Sequence, residues 1–262
     1  VDLGLGGHVA VVAASSKGLG RATAMQLAAE GARVVVSGRD EAEVRKTAAE
    51  IERATGSEAE PVIADLTRAA DVEELVQRAV ERFGSLEVLI TNAGGPPPGS
   101  FDSFGDGDWQ RAFELNLLSV VRLIRAALPH MRGRGYGRIV NFTSSSIKQP
   151  IDNLILSNTF RAGVLGLAKT LAGELAPDGI LVNTIGPGRI ATGRLFSIDE
   201  GQAERLGIPV EQVRERSESQ IPLGRYGEPE EFARVAAFLA SGANTYVTGQ
   251  ALLVDGGMVR AI

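Results

Sequence analysis

The sequence predicts an α/β protein built on a doubly wound, mostly parallel sheet of seven strands with helices on both faces. Three observations carry this. Short β-branched runs alternate with amphipathic stretches of helical length, which is the signature of βαβ units. Most of those runs are almost continuously apolar, as expected of strands covered on both faces. A glycine-bearing turn joins the first run to the first helix. At 262 residues the chain suits one large domain spanning 1–262 better than two small ones. No repeat, linker or low-complexity tract divides it.

Taken in order, "HVAVVAA" (8–14) is the first strand, and "SSKGLGRATAMQLAAEG" (15–31) turns from it into a helix. "ARVVVS" (32–37) follows as a strand and "DEAEVRKTAAEIERAT" (40–55) as an amphipathic helix. "AEPVIA" (59–64) leads to the helix "DVEELVQRAVERFG" (71–84), and "LEVLIT" (86–91) to the stiff loop "GGPPPGSF" (94–101). The fifth strand is "GRIVNFTS" (137–144), the sixth "GILVNTI" (179–185) and the seventh "QALLVD" (250–255). Residues 188–225 form a long excursion, helical over 199–220, and an excursion of that length after a strand end predicts a lid. Ligands of such sheets lie at the C-terminal strand ends.

Composition removes several function classes. The chain is 44% apolar and 23% charged with a net charge of −5, which offers no footprint for nucleic acid or an anionic membrane. No apolar stretch reaches the roughly 20 residues of a membrane span. The start "VDLGLGGHVAVVAAS" has no basic segment ahead of its apolar run, so a cytoplasmic protein is expected. The absence of cysteine excludes disulfides, thiolate metal sites and a cysteine nucleophile. Ser145-Ser146-Ile147-Lys148 matches an acylation motif, but its Ser-Asp-Asn and Lys-Thr-Gly companions are missing. No metal-ligand motif occurs.

Gly18 and Gly20 stand where the first helix begins, so unpaired backbone N–H groups and the helix dipole predict a phosphate cradle there. The earlier "GLGG" (4–7) precedes the strand and cannot serve. At the end of the second strand, Gly38 and Arg39 occupy the place where a carboxylate would select the unphosphorylated ribose of NAD. With Lys17 as a second cation, NADP(H) is the preferred cofactor; Asp40 keeps NAD(H) open.

The ordered motifs resemble the short-chain dehydrogenase/reductase (SDR) family, in its bacterial 3-oxoacyl-[acyl-carrier-protein] reductase-like branch. The resemblance rests on "ASSKGLG" (14–20), "ADLT" (64–67), "TNAGG" (91–95), "ELNLLSV" (114–120), "GPGRIAT" (186–192) and the C-terminal "PLGRYGEPEEFA" and "YVTGQALLVDGG". It implies a Rossmann-like fold and a homotetramer or homodimer. It also implies cofactor contacts at Ser15, Ser16, Lys17, Gly18, Leu19, Gly20, Arg39, Asp65, Leu66, Asn92, Ala93, Gly94, Pro187, Gly188, Ile190 and Thr192. The family's first motif glycine is Ala14 here.

In the family a Ser orients the substrate carbonyl, a Tyr thirteen residues on donates the proton, and a Lys four further on binds the nicotinamide ribose. The matching positions here are Ser144, Ser157 and Arg161, with Asn116 as the helix asparagine of the same network. Tyrosine titrates near 10 and is tunable, whereas an aliphatic hydroxyl, like water near 16, is a far poorer acid. Losing general acid catalysis of about 10²–10⁴-fold costs roughly 3–5 kcal/mol of barrier. Arg161 can still hold the ribose or steady an alkoxide but cannot release its proton. Lysines number four against 23 arginines, so arginine alone is weak as a signal; the joint loss of Tyr is not. Lys148 is the best candidate for a surrogate acid, but a plain exposed lysine is the preferred reading of it. Tyr136, Tyr226, Tyr246, His8 and His130 read as structural, with Tyr226 and Tyr246 in segments that support subunit contacts in relatives. The expected function is interconversion of a small-molecule carbonyl and alcohol; the alternative is a catalytically silent NADP(H)-binding sensor or assembly module.

Overall fold

In the computed structural model, which describes residues 2–261, all seven expected strands are present. They are β1 (Val9–Val12), β2 (Arg33–Gly38), β3 (Ala59–Ile63), β4 (Val88–Thr91), β5 (Gly137–Phe142), β6 (Ile180–Pro187) and β7 (Ala251–Val254). Every pairing is parallel and the spatial order is β3-β2-β1-β4-β5-β6-β7. The order reverses between β1 and β4, which opens a crevice at their C-terminal ends.

Side-chain alternation along β1 shows how the layers form. Val9 and Val11 enter one core with α3 (Ala69–Phe83), α5 (Ser119–Arg132) and α6 (Ile155–Leu175). Ala10 and Val12 enter the other with α1 (Gly18–Ala29), α2 (Glu41–Thr55) and a C-terminal helix over 229–240. On α3 the buried set is Val72, Leu75, Val76, Ala79 and Phe83, the 3–4 spacing of one helical face. Each such Val, Leu or Phe contributes about 1.5–3 kcal/mol on burial. Asp40 begins α2 by accepting from the Glu43 N–H at 3.2 Å.

Two elements position the site. A helix α4 (Asp106–Phe113) continues into α5 through a π turn at Glu114–Leu118, which carries the buried Asn116. The excursion contains two helices, α7 (Gly193–Leu206) and α8 (Val210–Glu218), where one over 199–220 was expected. Thr192 starts α7 earlier by accepting from Leu195 N–H, and Pro209, lacking an N–H, separates the two. The last helix, α9, spans Pro229–Ala240. Among the described residues no helix is long and apolar enough to cross a membrane, and no cluster of His, Cys, Asp and Glu could hold a metal.

Candidate active site

A cleft of about 1570 Å³ runs across the C-terminal strand ends, from Arg39 and Asp65 at one end to Ser144, Ser157 and the α7 helix at the other. Its middle is the turn between β1 and α1. Lys17 is the extended residue before α1 and no side chain caps the helix, so the N–H groups of Gly18, Leu19 and Gly20 are left for a ligand. Ser16, Lys17, Gly18 and Leu19 line the cleft. Ser15 and Gly20 do not. Ser15 is fully buried; its hydroxyl donates to Val12 O at 2.6 Å and accepts from Ser37 N at 2.9 Å, stapling β1 to β2. A Cβ on Gly20 would lie 2.5 Å from Ala14 O, so this glycine lets the helix close onto the turn. Asn92, from the end of β4, donates to Ala13 O and Ala14 O at 3.2 and 2.9 Å and locks the turn across the crevice.

At the Arg39 end of the cleft, Gly38 has no room for a side chain. A Cβ there would stand 2.9 Å from both Ser16 Oγ and Val44 Cγ2. Asp40, next after Arg39, does not line the cleft and caps α2 through one carboxylate oxygen. Arg39 is exposed, with no carboxylate within ion-pair distance among the described residues. Lys17 is less free, its Nζ lying 3.6 Å from Glu43. Asp65 accepts from the Thr67 N–H and hydroxyl at 3.0 and 2.8 Å; these bonds, with the charges of Arg39 and Arg68, hold its carboxyl below the usual carboxylate range. Leu66 is buried beside it on the cleft wall.

At the other end, Ser144 follows β5 and accepts from Ser146 N at 3.1 Å, which leaves its own O–H free to donate. Ser157 lies in the first turn of α6, 9% exposed, its hydroxyl without a hydrogen bond to protein among the described residues. Four residues on, Arg161 is 6% exposed. It donates to Phe142 O at 2.7 Å and Ala93 O at 3.4 Å, bracing the ends of β5 and β4. Burial, and next the charge of Arg194, bring its pKa down to about 10, so it stays a cation at neutral pH. Asn116 does not reach the cleft. It sits fully buried behind it, donating to Gly94 O at 2.8 Å, with its Oδ1 unpartnered. Ala93, Gly94, Pro187, Gly188, Ile190 and Thr192 all line the cleft. Thr192 closes over the glycine turn, its Cγ2 3.6 Å from where a Gly18 Cβ would be.

The structure places Lys148 and all three tyrosines outside the cleft lining. Lys148 is exposed on the short helical turn after β5 and does not line the cleft, so it is no proton donor there. Tyr226 is buried beneath the excursion, donating to Asp199 Oδ2 at 2.9 Å, in keeping with its structural reading. Tyr136 packs against His8 with ring centroids 5.1 Å apart and planes tilted by 54°, and Tyr246 is 96% exposed. No tyrosine lines the cleft. Residues unforeseen from the sequence do: Arg194 of α7, which donates to Pro96 O at 2.7 Å across the cleft, and Arg189, paired with Asp199 at 3.1 Å. A signal existed for Arg194, since a cation in the first turn of a helix opposes the dipole.

A parallel sheet with a reversal crevice and a free helix N-terminus at its centre form the architecture of a dinucleotide-binding fold. Residues 13–259 match the family described as enoyl-(acyl carrier protein) reductase. The chain is similar to the short-chain reductase protein NovJ of Streptomyces niveus, 38% identical over 95% of this chain and 93% of that one. It is similar to the 3-oxoacyl-[acyl-carrier-protein] reductase FabG of Thermotoga maritima, 34% identical over 97% and 99%. Among solved structures, L-sorbose reductase from Gluconobacter frateurii with NADPH and L-sorbose superposes with a TM-score of 0.95 at 32% identity, covering all of both chains. A single-substitution variant of actinorhodin polyketide ketoreductase with NADPH gives 0.92 at 36%, covering 96% of this chain and 97% of that one. The chain belongs to the short-chain dehydrogenase/reductase family.

Proposed function

We propose that this protein is an NADPH-dependent carbonyl reductase that works with an altered proton-donor site. The observation that carries the cofactor choice is the end of β2: a glycine with no room for a Cβ, followed by an unpaired arginine. The residues fit a phosphorylated dinucleotide. The free N–H groups at the start of α1 would hold the diphosphate, Arg39 the 2′-phosphate, Asp65 and Leu66 the adenine, and Asn92 to Gly94 with Thr192 the nicotinamide half. NADPH, when bound, supplies a hydride to a carbonyl carbon.

The protein's own groups do the rest. Ser144 donates its free O–H to the substrate oxygen and fixes the carbonyl, and Ser157 offers a second hydroxyl. Neither is a tuned acid. Arg161 remains cationic, and a desolvated positive charge at this end of the cleft stabilises developing negative charge on the substrate oxygen. The product proton is drawn from water in the cleft. This scheme gives up about 10²–10⁴-fold in rate relative to a tyrosine donor. A binding module without turnover is the second reading, favoured by one observation: Arg161 is tied to main-chain carbonyls. The family resemblance supports a homodimer or homotetramer, which sedimentation would measure.

Fluorescence titration tests the cofactor. NADPH is expected to bind more tightly than NADH, with Arg39→Ser weakening NADPH about tenfold and leaving NADH unchanged. Tighter NADH binding would overturn the assignment. Turnover separates the two readings: Ser157→Tyr combined with Arg161→Lys is expected to raise ketone reduction by about 10²-fold or more. No gain, with NADPH binding intact and no activity in the natural protein, would favour the binding module.

A further inference from the structure

The substrate end of the cleft holds two cations, Arg161 and Arg194, without an ion-pair partner among the described residues. Arg161 is 94% removed from solvent by its 6% exposure, its partners are two neutral carbonyls, and its Nε has none. Buried charges are ordinarily paired, because an unpaired one keeps its desolvation cost. Arg194 adds a second cation, aimed across Gly95 to Pro96 O. It stands in the first turn of α7, which has no acidic residue and whose dipole is itself positive at that end. Burial first, and the charge of Arg194 next, lower the Arg161 pKa. Among the described residues no carboxylate comes within 4 Å of either one. The acids on the cleft wall are accounted for otherwise or stand apart: Asp65 is bound by Thr67 and Glu114 by Gln110. Asp152 is exposed on the cleft wall and, among the described residues, lies more than 4 Å from Arg161 and Arg194.

We infer that Arg161 and Arg194 form an anion site beside Ser144 and Ser157, and that the substrate is an oxo acid whose carboxylate occupies it. This rests on the reading above for the position of the reacting carbonyl. The cofactor's diphosphate is a less suitable occupant, because the start of α1 already provides a cradle for it. Ser144, Ser157 and Arg161 bring the anion site next to the carbonyl position, so the carboxylate belongs on a carbon adjacent to the carbonyl or one removed. The arrangement also gives the missing tyrosine a rationale: binding energy from a charged handle orients a small substrate where a tuned acid is absent.

The test is calorimetric binding of malonate and acetoacetate against malonamide and ethyl acetoacetate, with and without saturating NADP⁺. Each acid is expected to bind at least about tenfold more tightly than its neutral counterpart. Arg194→Gln should remove that advantage and leave NADPH affinity unchanged. Equal affinity of acids and neutral counterparts overturns the proposal. So does an Arg194→Gln variant that loses NADPH and malonate affinity in parallel, since that reassigns the arginine to the diphosphate. If the natural protein binds no NADPH, the proposed function falls, while the comparison on cofactor-free protein still decides the anion site.

Discussion

Ala14 carries a left-handed backbone, φ 47°, at the position where the family motif has glycine. A side chain in that conformation costs about 1–2 kcal/mol, and glycine returns part of the gain as unfolded-chain entropy. Ala14→Gly is therefore expected to stabilise the protein by about 0.5 kcal/mol, or about 1–2 °C in Tm for a domain of this size. Urea titration of the two proteins side by side measures it, and a loss of stability would show that the turn does not hold Ala14 as described. Gly38 is the converse case. A carboxylate introduced by Gly38→Asp must push Ser16 and Val44 aside, so it should cost about 1–3 kcal/mol. The gain in NADH binding that charge alone would forecast should not appear. A stable, NADH-preferring variant would refute the steric argument.

At the scale of elements, α9 shows how a terminus is held. Glu231 accepts from Arg225 through two bonds of 2.8 and 2.7 Å and from the Glu228 N–H at 2.8 Å. The Arg225 bonds first, and the backbone bond next, pull its carboxyl to about 2. The folded value is below the ordinary one of 4.5, so the stabilisation is complete above about pH 4.5 and fades as pH falls towards 2. Glu231→Gln should lower Tm at pH 7 and match the natural protein progressively as the pH drops from 4.5; a constant difference would show that the ion pair is not its source. The elements themselves were legible because their signals are local: apolar β-branched runs located all seven strands, and Asp40 marked the start of α2. The α7–α8 break was legible too, in Pro209, but the amphipathic charge pattern on either side masked it. The π turn at Asn116 and the inward turn of Ser15 were not legible. Both depend on partners far along the chain, Gly94 for one and Ser37 for the other. For the same reason, the four-residue spacing of Ser157 and Arg161 did not reveal that Arg161 would also donate to Phe142 O and Ala93 O.

Across the whole molecule, packing falls into two unequal parts. The sheet and its flanking helices form two large cores, whereas the excursion rests on a small separate cluster of Leu195, Ile221 and Tyr226. Beneath it Asp199, fully buried, is held by Arg189 and by the Tyr226 hydroxyl, which donates at 2.9 Å. A region with few apolar contacts and one polar anchor opens at lower free energy than the sheet. Since Arg194 lies on α7, such opening would also withdraw one of the two cations from the cleft. Tyr226→Phe leaves Asp199 with Arg189 alone, a loss of about 1–3 kcal/mol charged directly to the closed excursion. Hydrogen exchange over 193–220 should then accelerate about tenfold, with β1, β4 and β5 unchanged and Tm moved by less than about 2 °C. Uniform acceleration across sheet and excursion, with a matching fall in Tm, would mean that the two parts unfold together and that substrate entry cannot be gated by α7 and α8.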